Sequence, residues 1–359
     1  MHSLIRAEAA TSERDRRLSP AVVAELVRAG ATRMLAPASL GGRELDLPTW
    51  VAEVEDLARA DGSAGWTAMT TSATSSLAWY LPPETAEEVL GSPGSVLAGT
   101  AAPLGRAVAV DGGHRVTGRW GWGSAVPLCD WVVGGVVTDA GPRLAIFPAA
   151  DVTVHDTWRA AGLRATASHE WEVADAFVPT RRQVWPLTAT ADAPLARFPF
   201  LAFLAVGVAA VCLGVAARAV EEVESLARAK TRQYAIAVLA TETGAQLDLA
   251  TAEAKLSAAR AFLRAEVAAR WADAVAGVPA DTGGRARLRL ACSHAAAEAA
   301  DVTRLAFAVG GGSSVFEDSP LQRCLRDAHV AAQHAMVSRR HFETYAKVRL
   351  DVPVDTTRL

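Results

Sequence analysis

Hydrophobic positions change period twice along the chain. Up to about residue 92 they recur at three and four. Val22, Val23, Leu26 and Val27 form one stripe, and Val51, Val54 and Ala58 a second. That spacing predicts helices. Ser19-Pro20 reads as a helix start, serine capping and proline in the first position. Further helices are expected over 48–59, 63–80 and, past Pro82-Pro83, over 84–90. From about 95 to 185 the period falls to two. Residues 114–122, 131–137, 143–147, 152–155 and 171–178 read as short strands, and Asp111-Gly112-Gly113 as a hairpin turn. Beyond 200 the helical period returns. Leu249, Leu256, Leu263, Val267 and Trp271 fall at sevens and fours, and Leu288, Ala295, Val302 and Val309 at sevens. Ser319-Pro320 opens a last helix that runs through His334. The expected fold is α+β: an N-terminal helical domain (1–92), a middle antiparallel β domain (93–190) and a C-terminal four-helix bundle (191–359).

Composition narrows the function. The chain has 359 residues, 51% of them apolar, and a net charge of −3. Disorder is excluded as the main state, and nucleic-acid binding has no electrostatic support. Cys129, Cys212, Cys292 and Cys324 lie far apart with no CxxC pair, which fits a reducing cytoplasm and no disulfide framework. Residues 1–17 are polar and charged, so no signal peptide is expected. Residues 198–217 carry no charge and are long enough for a bilayer. Their Ala and Gly content favours a buried bundle helix, with no membrane partner. No GxGxxG, P-loop or HExxH motif occurs, and no histidine pair has metal spacing.

Three places could carry chemistry. Along residues 118–124, strand alternation puts Trp120, Trp122 and Ser124 on one face. Two indoles and a hydroxyl either wall a flat heteroaromatic ring or fill a core strand. Residues 158–169 are small and irregular, and Thr166 and Ser168 there serve a turn or a site. His334, expected mid-helix with Val330, Ala331 and Ser338 one turn away, is either a proton-transfer group or a hydrogen-bonded core residue. His329, five residues earlier, faces another side of the same helix.

The order helical, β, helical resembles the acyl-CoA dehydrogenase superfamily from about Leu35 to Leu350. Carrying it are Leu35-Ala36-Pro37 with Leu40-Gly41-Gly42, the Ala58–Trp66 segment with its Gly62-Ser63 and Trp66, and Gly118–Ser124. The Gly162–Pro179 segment follows, and the most specific is Val309–Asp327 with Ser319-Pro320-Leu321-Gln322-Arg323 and Arg326-Asp327. Within the superfamily the chain is similar to the flavin-dependent monooxygenases, the oxygenase components of two-component systems. Dehydrogenases usually place a glutamate just past the Arg-Asp pair, where Ala335 stands here. The monooxygenases place a histidine one residue earlier, where His334 stands. One departure is Thr74, at the place of a second histidine in many of these enzymes.

The resemblance implies site roles. Trp122 and Ser124 match the strand behind the isoalloxazine, Ser124 bonding near N5. Thr100 and Ala101 match the segment along the pyrimidine edge, and Thr166 and Ser168 the loop on the other side. Arg232 and the Gly310–Ser314 loop, with Gly311 and Gly312, match parts that meet the flavin phosphates of a neighbouring subunit. Arg326 and Asp327 read as ion-pair residues at a subunit interface. Catalytic roles fall to His334 and Ser124. Implied cofactors are reduced FMN or FAD, supplied by a separate flavin reductase, with dioxygen as co-substrate. The implied reaction is hydroxylation of a bulky, mostly apolar small molecule (aromatic, polyketide-like or amine-bearing) through a flavin C4a-hydroperoxide. The implied assembly is a cytoplasmic homotetramer, a dimer of dimers. Two rivals remain at this stage: an acyl-CoA dehydrogenase-type FAD oxidoreductase, and a helical scaffold that has lost its cofactor.

Overall fold

The computed structural model describes residues 1–184, 187, 192–231, 237–356 and 359. The chain opens with helices α1 (His2–Asp15), α2 (Pro20–Arg28), α3 (Leu47–Ala60), α4 (Gly62–Ser75) and α5 (Pro83–Leu90). Side-chain caps start several of them. Ser19 Oγ accepts from Val22 N, Asp46 from Thr49 N at 2.8 Å, and Asp61 from Ala64 N at 2.9 Å. The third expected helix is shorter than its pattern. It gives way at Ser76 to a 3-10 turn, where Ser75 and Ser76 hydroxyls fold back onto the carbonyls of Ser72 and Ala73. Helix α1 was not legible, because its 14 residues are mostly polar.

A seven-stranded sheet follows: β1 (Leu97–Val110), β2 (Gly113–Gly123), β3 (Trp131–Thr138), β4 (Gly141–Pro148), β5 (Thr153–His155), β6 (His169–Pro179) and β7 (Gln183–Val184). Their spatial order is β5-β6-β2-β1-β3-β4-β7. The expected β domain was antiparallel throughout, and one pairing corrects that: β1 and β3 run parallel. After the β1–β2 hairpin the chain crosses to the far side of β1. Asp130 there accepts from Val96 N at 2.9 Å, so β3 enters beside the start of β1. Alternation then fills two cores. Val132 and Phe147 face one with Trp120 and Trp171, while Val133 and Ile146 face another with Leu77, Leu81 and Leu90.

The remaining helices are α6 (Pro194–Arg197), α7 (Phe200–Ala229), α8 (Thr243–Val275), α9 (Thr282–Gly310), α10 (Pro320–Ala331) and α11 (Arg340–Arg349). Ser319 does precede α10, with Pro320 in its first turn, but its hydroxyl makes no cap bond. The apolar α7 is long enough to cross a membrane, yet 83% of its most apolar window is buried inside the protein. It is the central helix of a core that also takes residues from α1, α2, α3, α4, α8, α9 and α10, so both ends of the chain share one interior.

One buried carboxyl group joins helices to sheet. Asp327 of α10 accepts from Leu163 N at 2.6 Å, and Gly162 lies so close to α10 that a Cβ would sit 2.4 Å from the Arg326 carbonyl. Burial, with repulsion from Asp61, pushes the Asp327 pKa up to about 7, against the pull of Leu163 N–H and Arg323. The unfolded chain loses this proton at about pH 4, whereas the folded chain keeps it to about 7. Stability from this group therefore falls as pH rises through that window and is level above it. Asp327→Asn keeps the shape and the acceptor but never ionises. Its melting temperature relative to the native protein is expected to climb between pH 4.5 and 7.5, measured by scanning calorimetry. The opposite trend would mean that Asp327 is a stabilising anion paired with Arg323.

Candidate active site

Ser124 lies just past β2, while Thr166 and Ser168 precede β6, and backbone strain brings the two loops together. Ala125 N donates to Thr166 O at 3.1 Å. Ser124 Oγ and Ser168 Oγ are 2.7 Å apart, as are Ser168 Oγ and Thr166 Oγ1. Thr166 Oγ1 donates to Leu163 O at 2.8 Å. All three hydroxyl residues are buried. Trp66 of α4 donates its indole N–H to Ser124 Oγ at 3.0 Å, and the His334 ring meets Trp66 edge to face with centroids 5.7 Å apart. Ser124, Thr166, Ser168 and His334, all singled out in the sequence, thus fall into one chain of contacts. Among the described residues, eight non-glycine residues have left-handed φ; Trp122, Ala125, Leu163 and Ala167 are four of them. Strained backbone concentrated beside such a cluster is a mark of function.

The tryptophans do not share a face. Trp120 is fully buried and stacks on Trp171 at 4.2 Å. Between the pairs Trp120↔Trp171 and Gly123↔His169, β2 carries one residue more than β6. This bulge, with φ +54° at Trp122, turns its indole out, leaving it 76% exposed. Thr100 donates to Gly121 O at 3.0 Å, beside the bulge. The β1/β3 register slips between Thr100 and Pro103, and Ala101 is exposed there.

His334 is not mid-helix. Helix α10 ends at Ala331, and His334 caps the 3-10 turn Ala335–Val337. Its Nδ1 accepts from Met336 N at 3.3 Å, so Met336, rather than Ser338, fixes the ring. That bond assigns the remaining proton of the neutral ring to Nε2. His334 is exposed on the protomer surface, yet the protein packed around its ring and, less strongly, Arg289 push its pKa down to about 4. Arg289 is itself buried. It meets His341 Nε2 at 2.6 Å and Leu201 O at 2.8 Å, and sequence reasoning missed it because an arginine in a bundle helix looks like surface. Trp66 was missed as a functional residue too, although its motif was noted. Trp66, half-buried Thr70 and half-buried Thr74 follow one another at four-residue spacing along α4. The Thr74 hydroxyl donates to Thr70 O at 2.8 Å.

Other sequence-picked residues lie elsewhere. Gly311 and Gly312 precede α10, so its twelve residues, ~18 Å of helix, separate them from the His334 end. Arg232 lies outside the described residues. Asp327 is buried within one protomer, and Arg326 pairs with Glu13 of α1 and with Ala161 O. The residues that do converge fit a flavin. An exposed indole, an irregular strand segment at 100–103 and a neutral row of hydroxyls offer a flat wall, backbone polar groups and hydrogen bonds to a ring edge.

Comparison with known proteins agrees. The model of the acyl-CoA dehydrogenase C-terminal domain matches residues 206–339. An indole-3-acetate monooxygenase of Pseudomonas putida is 34% identical over 342 residues, 92% of this chain and 87% of that protein. The oxygenase subunit HsaA of a flavin-dependent monooxygenase of Rhodococcus jostii is 28% identical over 98% of this chain and 97% of its own. XiaF from Streptomyces sp., solved with FADH2 and glycerol, superposes with a TM-score of 0.92 at 27% identity, covering 99% of this chain and 94% of that one. On these grounds the chain belongs to the flavin-dependent monooxygenases of acyl-CoA dehydrogenase fold, the oxygenase components that use reduced flavin.

Proposed function

We propose that this oxygenase hydroxylates an aromatic small molecule bearing an N–H or O–H group, using reduced FMN or FAD delivered by a separate reductase. The observation that carries the reading is the convergence of Ser124, Ser168, Thr166, Trp66 and His334 beside the exposed Trp122. Trp122, Ser124, Thr100 and Ala101 would hold the isoalloxazine, with Thr166 and Ser168 behind Ser124. Arg232, Gly311 and Gly312 would serve the phosphates of a neighbour in a cytoplasmic homotetramer. The three parts would divide near residues 92 and 190.

Reduced flavin, when bound, supplies the activation of dioxygen. The chain's part is to orient, to exclude water and to hold protons in place. His334 holds a proton at Nε2 and offers it as a hydrogen-bond donor across the working pH range, because its pKa lies well below that range. Thr74 has its only hydrogen committed to its own helix, so toward a substrate it can only accept. An aromatic N–H or phenol O–H supplies the matching donor. Relatives named for indole-3-acetate and p-hydroxyphenylacetate support that class. Turnover of these two acids with a flavin reductase, NADH and oxygen is the direct test.

Two expectations follow for His334. Its ring carbons, followed by NMR, should titrate near pH 4; a midpoint near 6.5 would place the ring in open water and remove its fixed donor role. The activity contribution of this group should then be flat from pH 5 to 8. His334→Ala should keep fold and flavin affinity but lose ~10²-fold in hydroxylation, with reducing equivalents ending in hydrogen peroxide. His334→Gln, which can present an amide N–H, should recover part of that loss, and His329→Ala should be silent. A fall in melting temperature with normal turnover per folded molecule would instead make His334 a structural cap.

A further inference from the structure

The direction of the hydroxyl row is fixed by its anchor. Leu163 O can only accept, and Thr166 Oγ1 lies 2.8 Å from it. Were the Thr166 hydrogen turned elsewhere, two oxygens would face each other at that distance with nothing between them. The hydrogen is therefore committed to Leu163. Ser168, 2.7 Å from Thr166, must then donate to it, and Ser124, 2.7 Å from Ser168, must donate in turn. The Trp66 N–H at 3.0 Å takes one acceptor site of Ser124. Each hydroxyl carries one hydrogen and two lone pairs. With its hydrogen committed to Ser168 and one lone pair taken by Trp66, Ser124 keeps a single lone pair.

The anchor is itself held. Asp327 accepts from Leu163 N at 2.6 Å, and Leu163 sits at φ +48°, a conformation a leucine adopts only under such constraint. Thr166 N at 3.2 Å and Trp158 Nε1 at 3.0 Å also donate to Leu163 O. Among the described residues, no charged side chain hydrogen-bonds to the row.

We propose that Ser168 and Thr166 set the redox selectivity of the flavin site by making Ser124 an obligate acceptor toward the flavin. Reduced flavin carries hydrogen on N5 and donates to such an acceptor. Oxidised flavin has only a lone pair on N5 and meets the Ser124 lone pair head on. The proposal rests on the reading that Ser124 faces N5. Ser168 and Thr166 are positioning residues in this scheme, acting through Ser124.

The experiment measures dissociation constants for oxidised and chemically reduced FMN and FAD, aerobic and anaerobic, by equilibrium dialysis. The native protein should bind the reduced form more tightly. Ser168→Ala frees the Ser124 hydrogen to turn outward. Oxidised flavin should then gain and reduced flavin lose, narrowing the ratio by about tenfold, the scale of one net hydrogen bond. Thr166→Val keeps volume and leaves Ser168 free to reverse, so it should narrow the ratio independently if Ser168→Ala folds poorly. A merely structural role for these hydroxyls would weaken both forms alike and leave the ratio unchanged, which overturns the proposal. If Ser124→Ala changes neither affinity, the reading of Ser124 at N5 fails and the proposal with it. If Ser124→Ala weakens reduced flavin while both positioning variants keep the native ratio, the proposal alone fails.

Discussion

The bond from Leu163 N–H to the buried Asp327 carboxyl group is the point at which helices and sheet are held in register. It is a single contact, but three elements converge on it. Helix α10 brings Asp327, the loop before β6 brings Leu163, and Gly62 at the start of α4 approaches so closely that a Cβ would lie 3.0 Å from the Asp327 carboxylate. Trp66 is one turn further along α4, and His334 follows the end of α10. A shift of any of these three elements would therefore reach the site at once. An unpaired buried acid would be costly at neutral pH. A pKa near 7 and a short bond from a backbone amide moderate that cost, and Arg323 adds opposite charge nearby.

The same clamp lets strained backbone persist. Leu163 and Ala167 flank Thr166, and Trp122 and Ala125 flank Ser124, all four at left-handed φ. Such residues cost of order 1–3 kcal/mol each unless the surroundings impose them. What the strain achieves is directional. It turns three hydroxyls from two loops toward one another and turns the Trp122 indole outward, a combination that regular strand geometry forbids.

Much of this was legible in the sequence, and the failures have physical causes. Periods of two and of three to four located β2, β3, β4 and β6 and the long helices, because burial on one face imposes the period. Ser124, Thr166, Ser168 and His334 were found by chemistry and resemblance, and they do converge. The orientation of Trp122 was not legible, since an inserted residue reverses every later side chain and leaves no mark in composition. The end of α10 was equally hidden. Ala331, Ala332 and Gln333 are good helix formers, so the stop comes from tertiary contacts and from the His334 cap rather than from a breaker. Helix α1 carries too few apolar residues for a stripe, and Glu13 finds Arg323 and Arg326 only once the chain has folded.

The difference between this site and a dehydrogenase site then lies in which polar groups remain free. A dehydrogenase needs a carboxylate to take a proton from carbon. At the corresponding place this chain has Ala335, and the buried acids Asp61 and Asp327 accept from Ala64 N and Leu163 N. In the proposed site what faces the ligands is neutral: a histidine with its proton on Nε2, a serine offering a lone pair and a threonine whose hydrogen is held by Thr70 O. None of these can abstract a proton from an unactivated carbon. They can hold a donor-bearing aromatic ring and a reduced cofactor in fixed relation, in an environment whose charges are turned inward to clamps. That is the arrangement an oxygenase needs, because its hard chemistry is done by the cofactor and oxygen, and its protein supplies orientation and dryness.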